Sequence, residues 1–157
     1  MQDRNIQDAR TSAHPDHVGG RWPKCWEAIL VKARMLTDAG GCALVLANTV
    51  GRAQEIYRTL RERECGSRQL ILFHSRFPAG QRSRMEQELI AKFGPNSLVR
   101  PFAAIVVATQ VVEQSMDVDF DVLITDLAPI DLVLQRIGRM HRHERQRPSH
   151  LAFPTVF

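Results

Sequence analysis

Apolar residues along this chain change their spacing in a regular way, and each change marks an element. Pro23 suits the first turn of a helix, and Trp26, Ile29, Leu30 and Met35 to Leu36 form a helically spaced apolar stripe that stops at Gly40-Gly41. The stripe predicts a helix of about fifteen residues. Next comes the unbroken apolar run Cys42–Ala47, the pattern of a strand covered on both faces. Helical spacing returns with Val50, Ala53, Ile56, Tyr57 and Leu60. The alternation then continues as strand Gln69–Phe73, helix Gly80–Phe93, strand Phe102–Ala108, a short helix from about Val111, strand Val122–Thr125 and helix Ile130–Met140.

Strands and helices that alternate in this way predict an α/β fold of three layers: a mainly parallel sheet with helices on both faces. Ligands of such sheets bind at the carboxyl ends of the strands. Residues 1–22 show no periodicity and read as a flexible lead-in, 23–150 as the folded domain, and 151–157 as a terminal strand or the start of a missing domain.

Composition narrows the class. With 44% hydrophobic and 24% charged residues, the chain of 157 residues is that of a globular protein with one ordinary core. No apolar run reaches the roughly 18 residues a membrane span needs, and no apolar segment resembles a signal peptide. Cys25, Cys42 and Cys65 are odd in number and too widely spaced for a zinc knuckle, so a reducing cytoplasm is expected. The net charge of +4 is mild, but only Lys24, Lys32 and Lys92 among the 21 basic residues are lysines. Arginine's planar fork matches phosphate, so the bias suits a nucleotide or nucleic-acid partner; a solvated basic surface fits it equally.

The chemistry concentrates in Gln135-Arg-Ile-Gly-Arg-Met-His-Arg142. On an ideal helix Gln135, Arg139 and Arg142 fall within about 60° of one another, with Val133, Ile137 and Met140 opposite. One face would pack and the other would present guanidinium groups, while Gly138 would let a partner approach closely. Two fixed cations are what phosphoryl transfer needs, since charge on the γ-phosphate oxygens must be stabilised in place. Upstream, Thr109 stands at the end of a buried strand, where hydroxyl and backbone N–H donors can hold a phosphate, and Asp117 can accept from a ribose hydroxyl. Both could equally be helix caps. Asn48-Thr49 and His74-Ser75-Arg76 place short polar groups at two further strand ends, fit for backbone contact or for turns.

Gln-x-x-Gly-Arg-x-x-Arg resembles motif VI of superfamily 2 helicases, and Ala108-Thr-Gln-Val-Val-Glu-Gln-Ser-Met-Asp-Val-Asp-Phe-Asp121 resembles motif V. The wording of the second is close to that of the CRISPR-associated type I helicase-nucleases, with Met116 where leucine is more usual, a conservative swap. Asn48-Thr49-Val50 is similar to motif IV, and His74-Ser75-Arg76-Phe77 to the segment after it; Ala128-Pro129-Ile130-Asp131 also matches. The resemblance covers roughly residues 25–150.

It implies a second RecA-like motor domain, in which Arg139 and Arg142 reach ATP held by a first motor domain, and Gln135, Gly138 and Asp117 line the nucleotide side. Asn48, Thr49, His74, Ser75, Arg76, Thr109, Gln110 and Gln114 would contact single-stranded DNA. A first motor domain and a CRISPR surveillance complex are the implied partners, with no membrane. ATP with magnesium would enter only with the first domain, because the glycine-rich phosphate loop, the paired magnesium carboxylates and the nuclease domain are absent from this sequence. No hydrolysis of ATP by this chain alone is expected. No metal site is expected at His14 and His17 or at His141 and His143. A stand-alone binding module and an RNA-directed helicase domain are the alternatives.

Overall fold

The computed structural model describes residues 24–63, 66–113 and 116–157. The lead-in over 1–22, with His14 and His17, lies outside the described residues, as do Cys65 and Gln114. Nor are the side chains of Cys25, Trp26 and Ile29 among those described.

Helix α1 (Lys24–Asp38) turns through Gly40 and Gly41 into β1 (Gly41–Leu46). Both glycines sit in the left-handed region, at φ 95° and 110°, which is open to glycine and strained for other residues. Leu30, Ala33 and Thr37 form the buried side of α1, while Met35, expected in the stripe, faces solvent. Thr37 is tolerated inside because its hydroxyl donates to the Ala33 carbonyl at 2.9 Å.

The chain continues as α2 (Val50–Glu62), β2 (Gln69–Phe73), α3 (Ala79–Phe93), β3 (Ala103–Ala108), a 3-10 turn at Gln110–Val112, β4 (Val122–Thr125), α4 (Ile130–Ile137), a 3-10 turn at Ser149–Leu151 and β5 (Thr155–Val156). The five strands form one sheet in the order β2-β3-β1-β4-β5. Every neighbouring pair is parallel. Continuous apolar runs and central position coincide: β1 and β3 are buried at every residue, whereas the edge strands β2 and β5 are partly exposed or exposed.

Alternation along the strands divides the core in two. Cys42, Leu44 and Leu46 with Ala104, Val106 and Ala108 pack in one cluster with Leu89 and Phe93 of α3 and with Val112, Met116, Val118 and Phe120. Ala43, Val45 and Ala47 with Ile105 and Val107 face α1 and α2. The sheet therefore lies between two layers, and the expected three-layer α/β architecture is the observed one.

Register sets up the site. Leu46 pairs with both Ala108 and Thr125, and Phe73 also pairs with Ala108, so four strands end level with one another. Their next residues lie side by side along one carboxyl edge.

Candidate functional site at the carboxyl edge of the sheet

In sheet order, the polar residues beyond the strand ends are His74, Thr109, Asn48 and Asp126. Backbone bonds tie the row together: Thr109 donates to the Phe73 carbonyl at 3.3 Å, Ala47 to Ala108 at 2.9 Å and Asp126 to Leu46 at 2.9 Å. Thr109 is buried with no side-chain cap bond, and Gln110 is exposed. His74 is buried beneath Phe77, ring on ring at 4.2 Å, and its Nε2 meets the Gln54 amide at 3.3 Å. Burial holds this imidazole below its ordinary pKa, so it is neutral at physiological pH. Ser75 and Arg76 beside it are exposed.

Asn48 and Thr49 use their side chains within the chain. The Asn48 amide donates to the Leu127 carbonyl at 2.8 Å and its oxygen accepts from Arg136 at 3.0 Å. Thr49 caps α2, its hydroxyl accepting from the Arg52 N–H at 3.3 Å.

The predicted arginine helix is shorter than its sequence suggests. α4 ends at Ile137, and Gly138 is its cap. Arg139 and Met140 then donate to the carbonyls three residues back, a tighter turn than an α-helix. Phe120 diverts the chain from there: its N–H donates to Arg139 and its carbonyl accepts from His141, which stands at φ 49°. These bonds satisfy backbone groups that a continuing helix would have used, and the propensity cost of about 1 kcal/mol for glycine weakens the helix at 138. Arg139 and Arg142 are consequently not neighbours on one regular helix face. Nor do Val133, Ile137 and Met140 form a common packing face: Met140 is buried and Val133 half-buried, but Ile137 is exposed, as are Ile130 and Leu134.

Each arginine is instead held by a different part of the segment after β3. The Arg139 guanidinium donates to the Glu113 carbonyl at 2.7 Å, and its buried Nε has no hydrogen-bond partner among the described residues. Burial, then the neighbouring Arg142 charge, lowers its pKa from a very high starting value. Arg142 donates through Nε to Asp117 at 2.6 Å, and His143 lies 3.1 Å from the same carboxylate. Arg142 holds the Asp117 carboxyl below its ordinary pKa, so the pair is ionised at neutral pH. Gly138 joins this group by accepting from Arg142 at 3.4 Å, while Gln135 is exposed on α4.

Sequence reasoning passed over the residue at the centre. Arg136 is fully buried, and its guanidinium donates to Glu113 at 2.7 Å, the Thr125 hydroxyl at 2.6 Å, the Asp126 carbonyl at 3.0 Å and Asn48 at 3.0 Å. Asp126 in turn accepts from the Asn48 N–H at 2.9 Å and pairs with Arg52 at 3.1 Å. A signal existed: on the helical wheel Arg136 lies nearer the apolar cluster of Val133 and Met140 than the polar side. Among the described residues no group of three or more His, Cys, Asp or Glu is placed to hold a metal ion.

The comparisons place this arrangement. Residues 39–145 match the family model described as CRISPR-associated nuclease/helicase Cas3, C-terminal. The Cas3 nuclease/helicase of Streptococcus thermophilus is 47% identical over 112 residues, covering 71% of this chain and 12% of the relative. The T. fusca Cas3-ATP crystal structure superposes with a TM-score of 0.79 at 39% identity, over 83% of this chain and 15% of that one. A structure described as a CRISPR RNA-guided surveillance complex, pre-nicking, contains a chain with a TM-score of 0.71 at 38% identity, over 83% of this chain and 16% of its own length. The first relatives matched are spanned for only 12% to 18% of their length. A parallel sheet with its polar row at the strand ends, two arginines tied to the segment after β3 and a family match over residues 39–145 lead to one assignment: this chain belongs to the Cas3 family, as its helicase C-terminal, RecA-like domain.

Proposed function

We propose that this domain is the second half of an ATP-driven DNA motor in CRISPR interference. ATP would bind between it and a first motor domain, supplied in cis or in trans, and closure of that cleft would bring Arg139 and Arg142 to the γ-phosphate. The observation that carries the reading is the state of the two arginines. Arg139 has a buried Nε without a partner among the described residues, and Arg142 is half-exposed on the equally accessible Asp117. Both can take up phosphate oxygens without dismantling the core. Gln135 and Gly138 would lie along the nucleotide, and Asp117 would accept from its ribose.

The strand-end row is the proposed track for single-stranded DNA, with Ser75, Arg76 and Gln110 as accessible contacts and Thr109 and His74 beneath them. Asn48 and Thr49, already bonded within the chain, would serve it by shaping the loop and offering backbone groups. Magnesium would come with the first domain, since the phosphate loop and the paired carboxylates that hold it in such motors are absent from this sequence. A surveillance complex is the proposed larger partner and the cytoplasm the proposed compartment; among the described residues no helix is long and apolar enough to cross a membrane.

The test uses the full-length protein that carries this domain. Arginine fingers contribute about a thousandfold or more to phosphoryl transfer, so Arg139→Ala and Arg142→Ala should each lower DNA-stimulated ATPase kcat on roughly that scale. Parental kcat in both variants overturns the reading.

A further inference from the structure

Arg136 is the only fully buried basic side chain among the described residues, and it does not sit in an apolar core. It occupies the junction of four segments: the loop after β1 through Asn48, the end of β4 through Thr125 and Asp126, the turn after β3 through Glu113, and α4 itself. A planar fork of donors can hold all of these at once, and an ammonium cannot. Burying such a pair is, on energetic grounds, poor value for stability alone, because an apolar replacement commonly does as well.

Glu113 supplies the reason for the arrangement. Its carboxylate binds Arg136 at 2.7 Å while its backbone carbonyl binds Arg139 at 2.7 Å. The Arg139 N–H also donates to the Arg136 carbonyl at 3.0 Å. Arg136, Glu113 and Arg139 thus form a closed ring of contacts, and Glu113 stands four residues beyond Thr109 at the strand-end row.

We infer that Arg136 and Glu113 are positioning residues: Arg136 clamps Glu113 against the strand ends, and Glu113 sets where the Arg139 guanidinium points. This rests on the assignment of Arg139 as a finger and adds the joint that aims it. A displacement of the turn after β3 by bound nucleic acid moves the carbonyl that holds Arg139, so DNA contact and the position of the cation are mechanically linked through one residue. Groups that act only on the developing charge of the transition state affect kcat and leave KM nearly unchanged. A residue that merely keeps the domain folded would lower the amount of active protein in step with its stability.

The experiment measures DNA-stimulated ATPase and melting temperature in the full-length protein for Arg136→Lys, Arg136→Met, the double variant Glu113→Gln with Arg136→Met, and Arg139→Ala. Lysine retains the charge opposite Glu113 but loses the simultaneous reach to Thr125 and Asn48. Its kcat should fall at least fivefold with KM for ATP within threefold; a smaller loss of kcat overturns the clamp. The double variant removes both buried charges together, so its melting temperature should exceed that of Arg136→Met alone while kcat remains at least fivefold down. Recovery of kcat along with stability shows a structural pair and overturns the proposal. Should the double variant fail to fold, the lysine variant decides. Arg139→Ala separates the two readings. If it is inactive while Arg136→Lys is intact, only the clamp fails; if it keeps parental kcat, the finger assignment fails and the clamp has nothing to aim.

Discussion

Cys42 shows how completely position can override the intrinsic chemistry of a side chain. It opens the buried face of β1, and burial pushes its thiol from an ordinary 9.0 up to about 12. The thiolate is the reactive form, so Cys42 should be inert to thiol reagents at neutral pH. The same shift affects stability. An acid whose pKa is higher in the folded state keeps its proton there while the unfolded chain loses it, so stability falls as pH rises from about 9 towards about 12. The decline should approach about 1.4 kcal/mol per pH unit, and Cys42→Ala should remove it. Denaturant unfolding of both proteins at several pH values over this range checks the sign; parallel slopes would refute it. Nothing in the sequence distinguished Cys42 from Cys25 or Cys65 except its place at the head of an apolar run.

Element boundaries were legible where hydrophobic spacing alone decided them. β2 and β4 occupy Gln69–Phe73 and Val122–Thr125 as the alternation indicates, and α2 buries Ala53, Ile56 and Leu60 from its apolar stripe. α4 departed from expectation because its end is determined by Phe120, a residue distant in sequence that takes the backbone bonds of Arg139 and His141. Local periodicity carries no record of such a partner. Arg136 was missed for a related reason: a guanidinium on a helix reads as surface until its acceptors, gathered from three other segments, are known. The shortened α4 also permits a separation of function from propensity at Gly138. A Cβ there would stand 3.3 Å from the Gln135 carbonyl, which must yield by a few tenths of an ångström, while the glycine's φ of −61° suits alanine. Gly138→Ala should therefore leave folding stability within about 1 kcal/mol of the parent, the gain in helix propensity offsetting that adjustment. It should nonetheless lower DNA-stimulated kcat in the full-length protein at least tenfold if nucleotide passes over this face; unchanged kcat would remove Gly138 from the site.

At the scale of the molecule, the arginine excess has two uses, and composition could suggest only one. Arg145 and Arg147 pair with the buried Asp119, and Arg100 and Arg147 with the buried Asp121, fastening the stretch after Arg142 to the residues just before β4. Asp119 also accepts from the Arg142 N–H at 2.8 Å, so the segment that carries a candidate finger is anchored by the same carboxylate. The leftover positive charge is smaller than the arginine count implies, because much of it is neutralised inside. The last ten residues depend on a still smaller detail. β5 adds to the sheet beside β4, and Leu151, four residues before it, rests directly over Gly41: a Cβ on that glycine would lie 2.4 Å from the Leu151 Cδ1. The missing methyl is a socket for a latch. Gly41→Ala would wedge it open, combining steric overlap with a φ of 110° that alanine resists, and the edge strand should peel away before the core melts. Limited proteolysis at native conditions should then cut within residues 148–157 far sooner than in the parent, and equal cutting rates would show that the tail holds without the latch. One absent carbon at the front of the sheet thereby governs how firmly its far border stays attached.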